Sequence, residues 1–161
     1  MGGDEWDRTG LDESRNVLGS VVGRFVPQWL ARRAVVVRVT TDRDRYASGE
    51  PVTLTVEFHN RLPVPIDVET PRRRLWGWTV DGELEASDER RYAGGAGGTL
   101  SFRPRERKRI RRRWDGRFKR AGEQTRWEPA APGEYEIAAF VAVDAPNRPA
   151  DRTTIRIEAR N

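Results

Sequence analysis

The most constraining feature of the sequence is a period of two in the apolar residues of two segments, 52–60 and 135–143. In the first segment, apolar residues alternate with polar ones directly after the turn sequence Gly-Glu-Pro. In the second, five residues at every second position share one apolar face directly after Pro-Gly-Glu. Because side chains on a β-strand point alternately to opposite faces, this pattern predicts strands with one buried face and one face in water. The apolar residues are Val52, Leu54, Val56 and Phe58 in the first segment, and Tyr135, Ile137, Ala139, Val141 and Val143 in the second.

Shorter alternating runs continue through residues 34–161. One of them ends at Val80 and leads into Asp81-Gly82, a dipeptide that favours the tight turn of a β-hairpin. Tyr135 opens a late strand directly after a Pro-Gly turn, as the tyrosine corner of immunoglobulin-like domains does. About seven or eight short strands at this spacing predict an all-β fold, an immunoglobulin-like Greek-key β-sandwich.

The first 33 residues follow a different pattern, and we divide the chain into an N-terminal appendage, residues 1–33, and a sandwich domain, residues 34–161. Apolar residues of the appendage recur at helical spacing until Pro27 ends the run. Gly19 and Gly23 weaken such a helix, so we expect it to dock on the sandwich or on a partner. The alternatives are partial disorder and shallow binding to a membrane surface. The apolar residues at helical spacing are Leu11, Leu18, Val21, Val22 and Phe25.

The composition and the first residues indicate the cellular compartment of the protein. The chain of 161 residues has no Cys, which excludes disulfides and thiolate chemistry and favours a reducing environment. Its first residues are acidic where a secretory signal would be basic, and no apolar run approaches the ~20 residues of a transmembrane helix. We therefore expect a cytoplasmic protein without a transmembrane segment.

Residues with catalytic or metal-binding chemistry are few and scattered. His59 is the only His of the chain and lies on the polar face of its predicted strand, so we expect it to be neither a catalytic base nor a metal ligand. Asp42, Asp44 and Glu50 are close in sequence but lack the spacing of a calcium loop, which favours a solvated turn. The sequence therefore predicts a protein that is not an enzyme and has no catalytic residues, no metal and no cofactor.

The least generic segment is residues 105–120, where ten basic side chains accompany two acidic ones and the local charge is +8. If Ile110 and Trp114 point inward, alternate arginines point outward about 7 Å apart, close to the spacing of phosphates along a nucleic-acid strand. Three interpretations stay open: a solvated face that resists aggregation, a surface for polyanions, and a protein interface. The candidate binding residues are Arg38, Arg109, Arg111, Arg113, Arg117, Lys119, Arg120 and Trp127.

An immunoglobulin-like strand order places this strand beside the one that carries Glu57 and in the same sheet as Arg38. Arg112 shares the inward phase of Ile110 and Trp114, and we expect its head group to snorkel outward along Trp114. The opposite sheet is expected to be acidic, so that the sandwich has one basic and one acidic face. The acidic face is predicted from Asp67, Glu69, Glu136 and Glu158, against Arg156.

The tryptophans of the predicted domain divide into two groups. Trp76, Trp78 and Trp114 alternate with other residues in predicted strands, which favours places in the core. Trp127 lies in the predicted loop 122–131 and is expected to be exposed, where an aromatic ring can contact a partner.

Four segments together carry a resemblance to a known family. Residues 52–60, 100–104, 114–116 and 132–139 resemble the pattern of the BsuPI-type intracellular proteinase inhibitor domain, over about residues 35–160. The resemblance implies an immunoglobulin-like sandwich that inhibits a proteinase through loops at one end of the sheets. The candidate loops are residues 61–65 and 115–132.

The sequence thus favours a non-enzymatic module that acts by protein–protein interaction, with intracellular proteinase inhibition as the special case that the resemblance implies. The alternative is weak, non-specific binding of a polyanion or nucleic acid through the Arg-rich strand, residues 105–120. Because one fold serves many functions, the identity of the partner and the oligomeric state stay open at this point.

Overall fold

The structure is a computed structural model that describes residues 26–87, 95–144 and 146–160. This part of the chain contains one short helix and twelve strands. The helix is α1 (Gln28–Ala34), and the strands are β1 (Val35–Thr41), β2 (Arg45–Ala47), β3 (Val52–Asn60), β4 (Ile66–Thr70), β5 (Trp76–Val80), β6 (Glu83–Leu84), β7 (Gly98–Phe102), β8 (Arg107–Trp114), β9 (Arg117–Arg120), β10 (Arg126–Pro129), β11 (Gly133–Val141) and β12 (Ala150–Glu158).

Two sheets pack face to face around the core. The three-stranded sheet has the order β1-β3-β8, and the five-stranded sheet has the order β2-β12-β11-β5-β6. Strand β1 packs against β12 and β11 and so joins the two layers. The predicted immunoglobulin-like β-sandwich is confirmed. The strands outnumber the expected seven or eight because β2 and β6 are very short and because β4–β7 and β9–β10 form separate two-stranded ribbons.

The two alternating segments form β3 and most of β11, as predicted. Every second residue of β3 is buried, from Val52 to Asn60. In β11 the alternation is interrupted by Phe140, which is buried on the outer face because it lies directly opposite Gly77 of β5. A Cβ atom at Gly77 would lie 2.7 Å from Cζ of Phe140, so the glycine provides the space for the ring. The outer side of the five-stranded sheet thus holds a small apolar contact.

Two predicted turn features are confirmed. Asp81 and Gly82 join β5 to β6 with φ angles of 47° and 81°, the positive values that a type I′ hairpin turn needs. The Tyr135 hydroxyl donates a hydrogen bond to the backbone oxygen of Ala131 at 2.7 Å, which is the tyrosine-corner contact. The Tyr135 ring also packs against Trp114, with ring centroids 5.9 Å apart.

Helix α1 was not predicted from the sequence, because Pro27 indicates the end of helical structure. Pro27 instead precedes the helix, and its carbonyl accepts hydrogen bonds from the N–H groups of Leu30 and Ala31, each at 2.9 Å. The side-chain amide of Gln28 makes two hydrogen bonds of 2.9 Å to the backbone of β4. Its nitrogen donates to the Asp67 carbonyl, and its oxygen accepts the Glu69 N–H. Ala31 and Ala34, also on the helix, are buried. The helix predicted upstream of Pro27, and its docking, lie outside the described residues.

The side chain of Asn60, at the end of β3, forms hydrogen bonds with two connecting segments. It is fully buried, and its amide nitrogen donates to the backbone oxygens of Val64 and Arg103, each at 2.9 Å. Its side-chain oxygen accepts the N–H of Leu62 at 2.9 Å. One side chain therefore fixes both the β3–β4 loop and the β7–β8 turn.

We expect Asn60→Ala to lower the free energy of unfolding by about 2–4 kcal/mol, because it removes the three part-buried hydrogen bonds that this fully buried side chain makes. Urea denaturation followed by tryptophan fluorescence measures the change. The exposed Gln124→Ala is the control and should change the free energy by less than ~0.5 kcal/mol. Equal stability of the Asn60→Ala protein and the wild type would contradict this role.

Candidate functional site

Strand β8 directs its arginines to the outer surface in the predicted phase. Trp114 is buried and Ile110 packs against the core, whereas Arg109, Arg111 and Arg113 are exposed. Arg107 lies in the same outward phase and is also exposed. Because Ile110 and Trp114 point towards the core, the residues that alternate with them along the strand point outward.

The strand register brings Arg38 onto the same face. Glu57 of β3 lies directly opposite Arg38 of β1 on one side and Arg109 of β8 on the other. Adjacent strands are ~4.8 Å apart, so Arg38 lies about 10 Å across the sheet from Arg109. We call the outward side chains of Arg38, Arg107, Arg109, Arg111 and Arg113 the arginine face.

Glu57 is the only carboxylate among the outward residues of β1, β3 and β8. Its two oxygens bind Arg107 at 2.6 Å and Arg109 at 2.9 Å, and its side chain is only 16% exposed. The hydrogen bonds from Arg109 and Arg107 lower the pKa of the Glu57 carboxyl below its ordinary 4.5. The carboxylate therefore stays ionised and orders two of the five arginines.

The other arginines of the face are less neutralised. Arg113 has an ion pair of 3.8 Å with Asp115, and both side chains are about 70% exposed. Arg38 and Arg111 have no carboxylate partner within the described part of the chain. The face therefore carries an excess of positive charge that is open to an anionic ligand.

His59 adds no charge to this face at neutral pH. Burial of the imidazole and the neighbouring charge of Arg107 lower its pKa below the ordinary 6.5. It lies opposite Arg107 in the sheet register.

Arg112 snorkels outward as expected, but over a different ring. It is exposed, its guanidinium carbon lies 5.1 Å from the ring centroid of Trp76, and Nη1 donates to the Arg111 carbonyl at 2.9 Å. The prediction had placed it along Trp114. Trp76 takes that role because it lies at the end of β5 and packs on Phe58 beneath the sheet.

The expectation of one strand over residues 105–120 is wrong. Gly116, with φ 69°, turns the chain after Asp115, and β9 then pairs with β10 instead of extending the three-stranded sheet. Arg117 and Lys119 therefore lie on the β9–β10 ribbon, where Lys119 is opposite Trp127. The eight candidate residues are thus divided between two surfaces.

Arg120 lies on the other side of this ribbon. Its guanidinium stacks 5.1 Å from the Phe118 centroid and binds Glu83 and Glu128. These carboxylates raise its pKa further. Its interactions are those of a structural residue that links the ribbon to β6.

The predicted exposure of Trp127 is confirmed, since the residue is 55% exposed, but it lies on strand β10 and not in a loop. Trp78 and Trp114 are buried and Trp76 packs partly buried against the core, as predicted.

The prediction of an acidic opposite face is wrong. Asp67 and Glu69 belong to β4, which pairs with β7 outside the five-stranded sheet. On that sheet, carboxylates and arginines pair across neighbouring strands, so the surface is mixed in charge. The pairs are Arg152–Glu136 at 3.4 Å, Arg45–Glu158 at 3.6 Å and Arg156–Glu134 at 3.9 Å.

The acidic loop near β2 serves the local fold. Asp42 accepts hydrogen bonds from the Tyr46 hydroxyl at 2.7 Å and from the Thr53 N–H at 3.0 Å. Glu50 accepts the Ala47 N–H at 2.8 Å. Within residues 26–87, 95–144 and 146–160, no group of three His, Cys, Asp or Glu side chains could hold a metal ion.

A second exposed surface was missed in the sequence. Trp29 of α1 is 61% exposed and lines an open cleft of about 430 Å³ with Leu30 and Leu62, between Arg33 and Arg61. The available signal was the adjacent pair Trp29-Leu30, because two neighbouring residues of a short helix cannot both face the core. Helix α1, of seven residues, is too short for a transmembrane span, and the described residues contain no candidate for one.

The model of a family of unknown function (DUF7974) matches residues 23–158. The chain belongs to DUF7974. The match covers α1 and all twelve strands. No curated protein matched the sequence.

Solved structures similar to this DUF7974 protein are distant. The CARDB domain of a Pyrococcus furiosus protein, solved in complex with di-metal ions, has 15% identity and a TM-score of 0.44, with 77% of this chain and 87% of that chain covered. The sporulation control protein Spo0M from Bacillus subtilis has 17% identity and a TM-score of 0.48, over 79% and 50%. The alkylpurine DNA glycosylase AlkC from Pseudomonas fluorescens has 15% identity and a TM-score of 0.47, over 91% and 38%.

The pKa of Glu57 reports on its two ion pairs and can be measured directly. NMR titration of the Glu57 carboxyl carbon should give a pKa below 4.5, since Arg109 and Arg107 stabilise the ionised form. Arg109→Ala should raise this pKa towards 4.5, whereas the exposed Arg126→Ala on the β9–β10 ribbon should leave it unchanged. A wild-type pKa at or above 4.5 would show that the two ion pairs do not form.

Proposed function

We propose that this DUF7974 protein is a non-enzymatic binding module of the cytoplasm, whose arginine face binds an acidic partner protein. The observation that carries the proposal is the ratio of five outward arginines to one carboxylate on a single exposed sheet face. The outer face of the opposite sheet has its charges paired, so the excess of positive charge is a property of one surface.

An acidic protein fits this face better than a single-stranded nucleic acid does. The exposed large aromatic side chains of the described residues, Trp29 and Trp127, lie on α1 and on β10. The arginine face therefore has no ring on which bases could stack, and stacking supplies much of the affinity for single strands. Weak, salt-dependent binding of polyanions is the expected secondary activity.

The charge-reversal variant Arg109→Glu/Arg111→Glu/Arg113→Glu tests the proposal. We expect it to bind a fluorescent poly-L-glutamate chain at least ~tenfold more weakly than the wild type at low salt, because three attractive contacts become repulsive. The matched control, Arg45→Glu/Arg152→Glu/Arg156→Glu, changes the same charge on the five-stranded sheet and should lose at most about threefold through the altered net charge. Anisotropy titrations measure both.

A comparison of ligands, a comparison of the two variants and a folding control complete this test. A single-stranded oligonucleotide of equal charge that binds more tightly than poly-L-glutamate would favour the nucleic-acid alternative. Equal losses in the two triple variants would show that net charge, and not the arginine face, governs binding. Melting temperatures of both variants establish that they are folded.

Proteinase inhibition is the special case of protein binding implied by the BsuPI-type resemblance. The two candidate loops begin at opposite ends of β3 and β8, since His59 pairs with Arg107 at one end and Val52 with Trp114 at the other. A single inhibitory surface therefore uses one of them. The β9–β10 ribbon, with Trp127 exposed at 55%, is the better candidate because its backbone is already held by strand pairing.

If inhibition occurs, Trp127→Ala should raise the inhibition constant at least ~tenfold, because a large buried aromatic contact would be lost. Trp29→Ala, at the second exposed tryptophan of the described residues, is the control and should leave the constant unchanged. Assays with intracellular serine proteinases measure both constants. Absence of inhibition by the wild type at micromolar concentration would contradict proteinase inhibition. It would not affect the proposal that the protein is a binding module.

A further inference from the structure

Strand β8 is the edge of the three-stranded sheet. The order β1-β3-β8 leaves it paired on one side only, over eight residues. The next strand along the chain, β9, turns away and pairs with β10. An edge of this length is long enough to pair with another strand.

The phase of the ladder shows which backbone groups face the free side. The Asn60 N–H donates to the Glu106 oxygen at 2.9 Å, so this pair is a hydrogen-bonded one in the antiparallel ladder. Hydrogen-bonded pairs recur every second residue, and β3 therefore engages the even-numbered residues of β8. The N–H and C=O groups of the odd-numbered residues Arg107, Arg109, Arg111 and Arg113 point to the open side.

These edge groups are almost entirely unpartnered within the described part of the chain. The one contact is from Nη1 of Arg112, which donates to the Arg111 carbonyl at 2.9 Å. Arg112 is exposed, and an incoming N–H can replace this bond at small cost, since the net contribution of one such hydrogen bond is only about 0.5–1.5 kcal/mol. The backbone of β8 thus offers a regular row of donors and acceptors.

The charges select what can pair there. A second copy of β8 would bring arginines opposite arginines, which opposes self-association. An acidic strand would place carboxylates beside the same arginines, and Glu57 already shows this geometry from the other side of β8, with bonds of 2.6 Å and 2.9 Å to Arg107 and Arg109. The same residues therefore supply open backbone groups and complementary charge.

We propose that the free edge of β8 captures an extended acidic segment of the partner by β-strand addition, with the backbone of the odd-numbered residues as the ladder and their guanidinium groups as the charge recognition. This inference rests on the proposed function for the acidic character of the partner. It adds the mode of binding and the conformation of the segment that is bound.

The probe is a peptide of five Glu-Thr repeats in two N-methylated forms, one methylated at every Glu and one at every Thr. In strand addition only alternate N–H groups of the peptide face β8, so one form loses its hydrogen bonds and the other carries its methyl groups towards solvent. We expect one form to bind at least ~tenfold more weakly than the parent and the other within about threefold. Antiparallel pairing makes the Glu-methylated form the weak one.

Two protein variants give a second measurement. Arg111→Pro and Arg111→Ala lose the same charge, but only the proline variant lacks the edge N–H, which β3 does not use. We expect Arg111→Pro to bind the parent peptide at least ~fivefold more weakly than Arg111→Ala, at equal melting temperatures. Hydrogen exchange of the Arg109, Arg111 and Arg113 amides in the wild type should slow when the parent peptide is added.

The outcomes separate the two proposals. If both methylated peptides bind like the parent while Arg109→Glu/Arg111→Glu/Arg113→Glu abolishes binding, strand addition is overturned and the acidic-partner function stands. If the charge-reversal variant binds the parent peptide as the wild type does, the proposed function itself fails. Unchanged exchange at the three edge amides in the presence of saturating peptide would also overturn strand addition.

Discussion

The rest of the structure depends on the register of β3. This strand is the centre of the three-stranded sheet, and its inward residues Val52, Leu54, Val56 and Phe58 are all essentially buried. A slip of one residue would turn this apolar row towards water and bring the polar row into the core, which burial strongly opposes. Because β1 and β8 both pair with β3, the same constraint decides the direction of the arginines on each neighbour.

The same strand also supplies the electrostatic centre of the candidate surface. Glu57 lies between Arg38 and Arg109, and its carboxylate holds two guanidinium groups of β8 in place. Ion pairs of such exposed arginines contribute little to stability. Their consequence is positional, since they order part of the face while Arg38 and Arg111 keep their charge available to a ligand.

Period-two patterns in the sequence predicted the sandwich and the outward direction of Arg109, Arg111 and Arg113. Turn residues predicted the Asp81-Gly82 hairpin and the tyrosine corner at Tyr135. All of these follow from local chemistry: alternation along a strand, or a residue pair that suits one turn. The association of Arg38 with the β8 row was also predicted, because it follows from the usual strand order of this fold.

The features that sequence reasoning missed depend on tertiary contacts. Gly116 ends β8, and Asp115-Gly116 was a local sign of this turn, since Asp-Gly favours tight turns. That β9 then pairs with β10 depends on a tertiary contact, which the sequence does not show. The seven-residue helix α1 is stabilised by Gln28 on the β4 backbone and by burial of Ala31, not by its own propensity. The prediction of an acidic face was wrong because β4 does not belong to the five-stranded sheet. In addition, arginines of β2 and β12 form ion pairs with the carboxylates of that sheet.

The most direct test of the central claim is NMR mapping of the isotope-labelled protein during titration with poly-L-glutamate. Binding at the arginine face predicts that the side-chain Nε–Hε signals of Arg38, Arg109 and Arg111 shift together and saturate, while those of Arg45, Arg152 and Arg156 on the opposite sheet stay in place. Shifts centred on the five-stranded sheet, or on the cleft of Trp29 and Leu62, would contradict the account.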